Sequence, residues 1–97
     1  MQQVAAAIIA EKGYILICQR GSGGPCAHLW EFPGGKLEPG ETLQDCLCRE
    51  CREELALEIA VDRLYHQTPY CYGEKEFIFS FFCAHIIGGT LKQNVHA

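Results

Sequence analysis

The sequence predicts an α+β domain in which a mixed β-sheet carries one amphipathic helix on a face. Three observations predict it: apolar, branched and aromatic runs toward both ends of the chain, a Gly- and Pro-rich stretch between them, and a single helical pattern directly after that stretch. Strand and helix do not simply alternate, which disfavours a doubly wound parallel sheet.

Val4 to Ala10 reads as a buried strand, Glu11-Lys12-Gly13 as a turn, and Tyr14 to Arg20 as a second strand. Gly21-Ser22-Gly23-Gly24-Pro25 reads as a loop, and Leu29-Trp30-Glu31-Phe32 as a short strand-like segment. Residues 33 to 41 hold Pro33, Gly34, Gly35, Pro39 and Gly40, and read as a structured loop without regular pairing. Thr42, with Asp45 three residues on, resembles a capping box and opens a helix to about Leu55. Leu43, Leu47, Cys51 and Leu55 recur every four residues and give that helix its apolar face. Ile59 to Leu64 reads as a strand, Pro69 to Gly73 as turn-like, and Phe77 to Ile87 as a long strand ending at Gly88-Gly89.

At 97 residues the expectation is one domain, residues 1–97, and 48% hydrophobic content suits a packed core. A net charge of −4 argues against a nucleic-acid polymer or a polybasic membrane contact as partner. The apolar run Val4 to Ala10 is too short to span a bilayer and lacks the basic front of an export signal. An odd number of cysteines, seven, then reads as reduced thiols in a cytoplasmic protein. Cys48 and Cys51 form a C-x-x-C with Cys46 nearby, but no second ligand pair accompanies them. They read as small hydrophobes filling the helix's packing positions. The histidines His28, His66, His85 and His96 show no ligand spacing.

The acidity is local. Between residues 31 and 58 eight acids stand against three bases, a net of −5, and the rest of the chain sums to +1. Within that window Glu50, Glu53 and Glu54 share a helix arc of roughly 100°, bordering the apolar stripe. Three like charges near a helix C-terminus cost folding free energy, which a divalent cation with a preference for oxygen ligands would offset. A solvated acidic face would explain the same residues on helix physics alone. Gly34 and Gly35 just upstream tilt the balance, because glycine lets backbone approach an ion or ligand closely.

Gly35, Glu41, Arg49-Glu50 and Glu53-Glu54, with Cys51 and Leu57 at the apolar positions, resemble the Nudix hydrolase signature Gly-x5-Glu-x7-Arg-Glu-U-x-Glu-Glu-x-Gly-U, where U is bulky and apolar. Two positions depart. Cys51 is small for its slot, and Ala56 replaces the final glycine, so a helix end of different shape is expected if that residue needs positive φ. The approach Leu29-Trp30-Glu31-Phe32-Pro33-Gly34-Gly35-Lys36 and the opening hairpin ending in Gln19-Arg20 are similar to MutT-like members. The resemblance implies an α/β/α sandwich with a mixed sheet. Family domains continue with a further strand and a C-terminal helix, whereas this sequence stops at Lys92-Gln93-Asn94-Val95-His96-Ala97.

The resemblance further implies Mg²⁺- or Mn²⁺-dependent hydrolysis of a nucleoside triphosphate to the monophosphate and pyrophosphate, in the manner of nucleotide-pool sanitation and DNA repair enzymes. Candidates are an oxidised purine such as 8-oxo-dGTP or a pyrimidine triphosphate. Glu54 and the Gly34 carbonyl would hold one metal, Glu50 and Glu53 would complete the cluster, and Glu50 would orient or deprotonate water. Arg49 would fix the carboxylate rotamers, Glu41 would tie loop to helix, and Gly35 would be structural. Arg20 and Lys36 would contact phosphate, although a solvated strand end explains Arg20 nearly as well. Glu31 and Phe32 would approach the nucleotide, with Phe32 equally suited to the core. Trp30 reads as core, and Tyr70, Tyr72 and Phe77 as base-pocket lining or packing. Two other readings stay open: hydrolysis of a nucleotide sugar or dinucleoside polyphosphate, and a non-catalytic base-recognition module. The intact glutamates argue against the last.

Overall fold

A computed structural model describes residues 1–19, 30–90 and 95–96. Its elements are β1 (Gln2–Glu11), β2 (Tyr14–Ile15), β3 (Ile17–Gln19), β4 (Trp30–Glu31), β5 (Gly34–Lys36), α1 (Leu43–Leu55), β6 (Leu57–Tyr72), β7 (Lys75–Gly89) and β8 (Val95–His96). The expected loop Gly21 to Pro25, the residues Arg20 and Leu29, and most of the final Lys92 to Ala97 lie outside the described residues.

β1 organises the larger sheet, of order β2-β1-β7-β6. It runs parallel to β7, with Ala5 opposite Ser80 and Ile9 opposite Ala84, while β6 pairs antiparallel to β7. The sheet is therefore mixed, as the element order predicts. β3, β4 and β8 form a smaller antiparallel sheet.

The helix stands on one face of this frame. Thr42 is its N-cap, and its hydroxyl oxygen accepts from the Asp45 N–H at 3.1 Å. Cys46, Leu47, Cys51 and Leu55 are buried against Ala5, Ala7 and Ile9 of β1, Leu57 and Ile59 of β6, and Phe82 and Ala84 of β7. The alternation of Ala5, Ala7 and Ile9 is the period of a strand with one face in the core, and the two alanines let the helix axis come close. Cys46 and Cys51 have no exposed surface and are free thiols, as is the half-buried Cys48, so the C-x-x-C works here as packing. Among the described residues no helix is long and apolar enough to cross a membrane.

Four expectations need correction. The stretch 33–41 is not all loop: Gly34 to Lys36 pairs antiparallel with Ala6 to Val4, extended by Ala7 N–H donating to the Pro33 carbonyl (2.8 Å) and Leu37 N–H to the Gln3 carbonyl (3.0 Å). Glycine content concealed a strand that exists only because β1 offers a partner. The second strand is broken at Leu16, whose N–H turns back to the Ile9 carbonyl at 2.9 Å. Pro69 to Tyr72 continues β6, and the turn falls at Gly73-Glu74. Pro69 is tolerated because β6 is an edge strand, where a missing N–H breaks no ladder on the open side.

The fourth concerns the helix end. Ala56 adopts φ 58°, ψ 33° and donates its N–H to the Arg52 and Cys51 carbonyls, so the left-handed cap forms without the glycine. An L-residue there costs roughly 1–2 kcal/mol, partly offset by the greater unfolded-state freedom of glycine. Ala56→Gly is expected to raise stability by roughly 0.5–1 kcal/mol, measured as a higher midpoint in urea unfolding at unchanged m.

Candidate active site

The acidic window condenses around one guanidinium. Arg49 Nε donates to Glu41 Oε2 at 2.6 Å and Nη2 to Glu41 Oε1 at 3.0 Å, a two-pronged pairing that planar guanidinium and carboxylate geometry favours. Its Nη1 donates to Glu50 Oε1 at 2.6 Å and to Glu53 Oε1 at 3.2 Å, one helical turn on. Its Nη2 also donates to the Lys36 carbonyl at 3.3 Å. One residue thus binds β5, the loop before the helix and the helix itself. Arg49, Glu41 and Glu50 expose only 19%, 17% and 18% of their side chains, whereas Glu53 exposes 61%. Bonds to Glu41 and then Glu50 raise the affinity of Arg49 for its proton further, so it stays charged.

Glu41 closes the loop from its other end. Its Oε1 accepts the Glu38 N–H at 3.0 Å, and its own N–H donates to the Glu38 carbonyl at 3.1 Å. The Arg49 bonds, followed by the Glu38 N–H, hold the Glu41 carboxyl below its ordinary value.

β5 lies against the helix here, and its two glycines leave room for close neighbours. At Gly35 a Cβ would strike the Glu50 carboxylate, and at Gly34 (φ 151°) it would strike the Ala5 backbone. The buried Cys46 thiol donates to the Lys36 and Gly35 carbonyls at 3.5 and 3.6 Å, and burial, then Glu41, push its pKa up to about 11, with Arg49 opposing. It remains a protonated donor across the usual pH range. The second arginine is outside this network: Arg52 grips Glu58 at 2.8 and 2.9 Å across the helix end.

Most of the residues singled out by the sequence are brought together. Gly34, Gly35, Lys36, Glu41, Arg49, Glu50 and Glu53 meet at the junction of β5 and α1, and Glu54 is exposed on the same helix. The glutamates do not converge on a point: among the described residues no three His, Cys, Asp or Glu side chains form a group able to hold a metal. Arg49 draws Glu50 and Glu53 to itself. The donor set nevertheless suits a hard divalent ion, being carboxylate oxygens beside Gly35, whose missing Cβ leaves its backbone against Glu50. Glu31 is exposed on β4, and the half-buried Phe32 meets Phe81 edge-on with centroids 6.1 Å apart. Arg20 lies outside the described residues, as do the side chains of Trp30 and His96. Residues missed by sequence reasoning are Cys46, as donor to the β5 carbonyls, and Phe79 and Phe81, which stack at 6.2 Å beside Phe32. The i, i+2 spacing of Phe77, Phe79 and Phe81 was the available signal for a shared face.

The NUDIX domain family model matches residues 1–96. The chain belongs to the Nudix family. It is 51% identical over 61 residues to the CTP pyrophosphohydrolase of Escherichia coli, a match spanning 63% of this chain and 45% of that protein. It is 34% identical over 80 residues to the 8-oxo-dGTP diphosphatase of Proteus vulgaris, covering 81% of this chain and 71% of that one. Among solved structures, that of the E. coli ORF135 protein superimposes with a TM-score of 0.80 at 36% identity, over 100% of this chain and 70% of its own. This Nudix chain therefore matches less than half the length of the CTP pyrophosphohydrolase.

Glu41 makes the clasp pH-dependent. A carboxyl depressed in the folded state stabilises it above the ordinary carboxylate value, and that contribution is lost as pH falls through the depressed one. Glu41→Gln should lower the urea midpoint at neutral pH, and the gap to wild type should close once both are unfolded from strongly acidic buffer. A constant gap across that range would mean that Glu41 acts through shape rather than charge.

Proposed function

We propose that this chain, taken as one Nudix domain, is a metal-dependent nucleoside triphosphate pyrophosphohydrolase of the MutT type, releasing a nucleoside monophosphate and pyrophosphate. An oxidised purine such as 8-oxo-dGTP or a pyrimidine triphosphate is the expected substrate, drawn from the cytoplasmic nucleotide pool. The observation that carries the reading is the close seating of Gly35 against Glu50, with Arg49 holding Glu50, Glu53 and Glu41 around it. The names of the two relatives, a CTP pyrophosphohydrolase and an 8-oxo-dGTP diphosphatase, support the same substrate class.

Glu50, Glu53, Glu54 and the Gly34 carbonyl would hold Mg²⁺ or Mn²⁺. Bound there, the ion would neutralise polyphosphate charge and make water easier to deprotonate. Glu50, largely shielded and held by Arg49, would orient the attacking water and accept its proton. Attack at phosphorus breaks one phosphoanhydride bond, and pyrophosphate leaves. Arg49 cannot act as a base, since its carboxylate partners keep it protonated. Its part is to present the carboxylates at fixed angles. Lys36, exposed beside Gly35, would meet phosphate oxygens, while Glu31 and Phe32 would approach the nucleoside.

Glu54→Gln removes a charged oxygen ligand from an exposed helix position and should leave melting unchanged while Mg²⁺-dependent pyrophosphate release drops by roughly 100-fold or more. Turnover at the wild-type rate would remove Glu54 from the metal site. Gly35→Ala should displace the Glu50 carboxylate and lower kcat with little change in KM, read from the same assay.

A further inference from the structure

β5 is three residues long, and among the described residues its strand partner is β1 alone. Its register fixes which way each carbonyl points. The Pro33 carbonyl accepts from Ala7, Leu37 donates to the Gln3 carbonyl, and Gly35 stands opposite Ala5 between them. In an antiparallel pair, residues that bond the partner strand alternate with residues whose backbone groups point away. Gly34 and Lys36 are therefore the two residues of β5 whose carbonyls leave on the edge remote from β1.

That edge is held by two donors from α1. The Lys36 carbonyl accepts from Arg49 Nη2 at 3.3 Å and from the Cys46 thiol at 3.5 Å, and the same Sγ lies 3.6 Å from the Gly35 carbonyl. Arg49 Nη2 also donates to Cys46 Sγ at 3.8 Å, so carbonyl, thiol and guanidinium close a triangle. The two donors are not equivalent. Arg49 is committed mainly to the carboxylates of Glu41, Glu50 and Glu53. Cys46 has no exposed surface, and its backbone N–H donates to the Thr42 carbonyl at 2.9 Å, so the first turn of the helix fixes it in place. Packing alone asks only for a small residue at 46, and the donor is an addition. A thiol donates weakly in water, but here donor and acceptor are shielded from competing solvent. Without it the Lys36 carbonyl keeps one long bond, to a guanidinium pulled elsewhere. Gly34 lies two residues away on the same edge, joined through Gly35, and two glycines in a row have little stiffness of their own. The place of the Gly34 carbonyl thus follows the anchor at Lys36.

We infer that Cys46 is a positioning residue of the candidate metal site: its thiol, together with Arg49, pins the Lys36 carbonyl and so holds the Gly34 carbonyl where a divalent cation would meet it. The inference rests on the hydrolase reading above and adds to it a residue outside the carboxylate set. The test compares wild type, Cys46→Ala and Cys46→Ser, because alanine and serine are nearly matched in size and differ in the donor. Mn²⁺ binding is titrated without nucleotide, from the paramagnetic resonance signal of the free ion. The Mg²⁺ dependence of pyrophosphate release from 8-oxo-dGTP and CTP is measured alongside. Cys46→Ala should weaken Mn²⁺ binding about fivefold and raise the Mg²⁺ concentration for half-maximal release by a similar factor. Cys46→Ser should recover most of that loss, although both variants give up the packing of the sulfur. A serine variant no better than alanine in both readouts shows that sulfur packing alone matters, and overturns the inference. An alanine variant equal to wild type in both overturns it as well, and either result leaves the hydrolase reading standing. A wild-type protein that binds no Mn²⁺ and releases no pyrophosphate overturns the hydrolase reading itself, and the inference with it.

Discussion

Arg49 is the constraint on which the site depends. The helix concentrates Glu50, Glu53 and Glu54 near its C-terminal half, where the helix dipole and mutual repulsion both oppose them. The loop adds Glu41. A single planar cation resolves this by donating along several directions at once: to both oxygens of Glu41, to Glu50, to Glu53 and to the Lys36 carbonyl. Lysine could not replace it, because a flexible point charge with three donors cannot hold a two-pronged carboxylate and two further partners in fixed relative orientation. A divalent ion placed among the same glutamates would take over part of this neutralisation. Arg49 then keeps Glu41, the partner it holds most fully, and through it the geometry of the loop.

What was legible in the sequence follows the range of the interactions. The N-cap at Thr42 and the apolar stripe of α1 are set within four residues, and both could be read locally. The positions of the site glutamates were legible because helical periodicity assigns them to an arc. Their conformations were not, since these depend on a guanidinium that also reaches eight residues back to Glu41. The strand character of Gly34 to Lys36 was hidden for a related reason: glycine has little strand preference of its own, and the pairing comes from β1, some thirty residues earlier. Pro69 misled in the opposite sense, because its signal is local while its tolerance depends on lying at a sheet edge.

Ala56 separates two things the motif glycine usually combines. The left-handed cap is still formed, and the bidentate Arg52–Glu58 pair spans the same corner, so the chain reverses from α1 into β6 as the fold needs. Only the intrinsic strain of an L-residue at positive φ is retained. The departure from the signature therefore bears on stability and leaves the carboxylates of the site one turn away undisturbed.

The correction of β5 from loop to strand changes how the two faces of the sheet relate. In a strand successive residues address opposite faces. Gly35 accordingly meets Glu50 on the helix side, while Lys36 borders an open cleft with Gln2 and Phe77 on the other. A loop of the same composition would impose no such alternation. Pairing with β1 fixes it, and so fixes the step from the acidic cluster to the aromatic face at one residue. Two adjacent residues of a three-residue strand thus face chemically opposed surroundings, and the small residues of β1 that accommodate the helix, Ala5 and Ala7, bear on the candidate site as much as on the core.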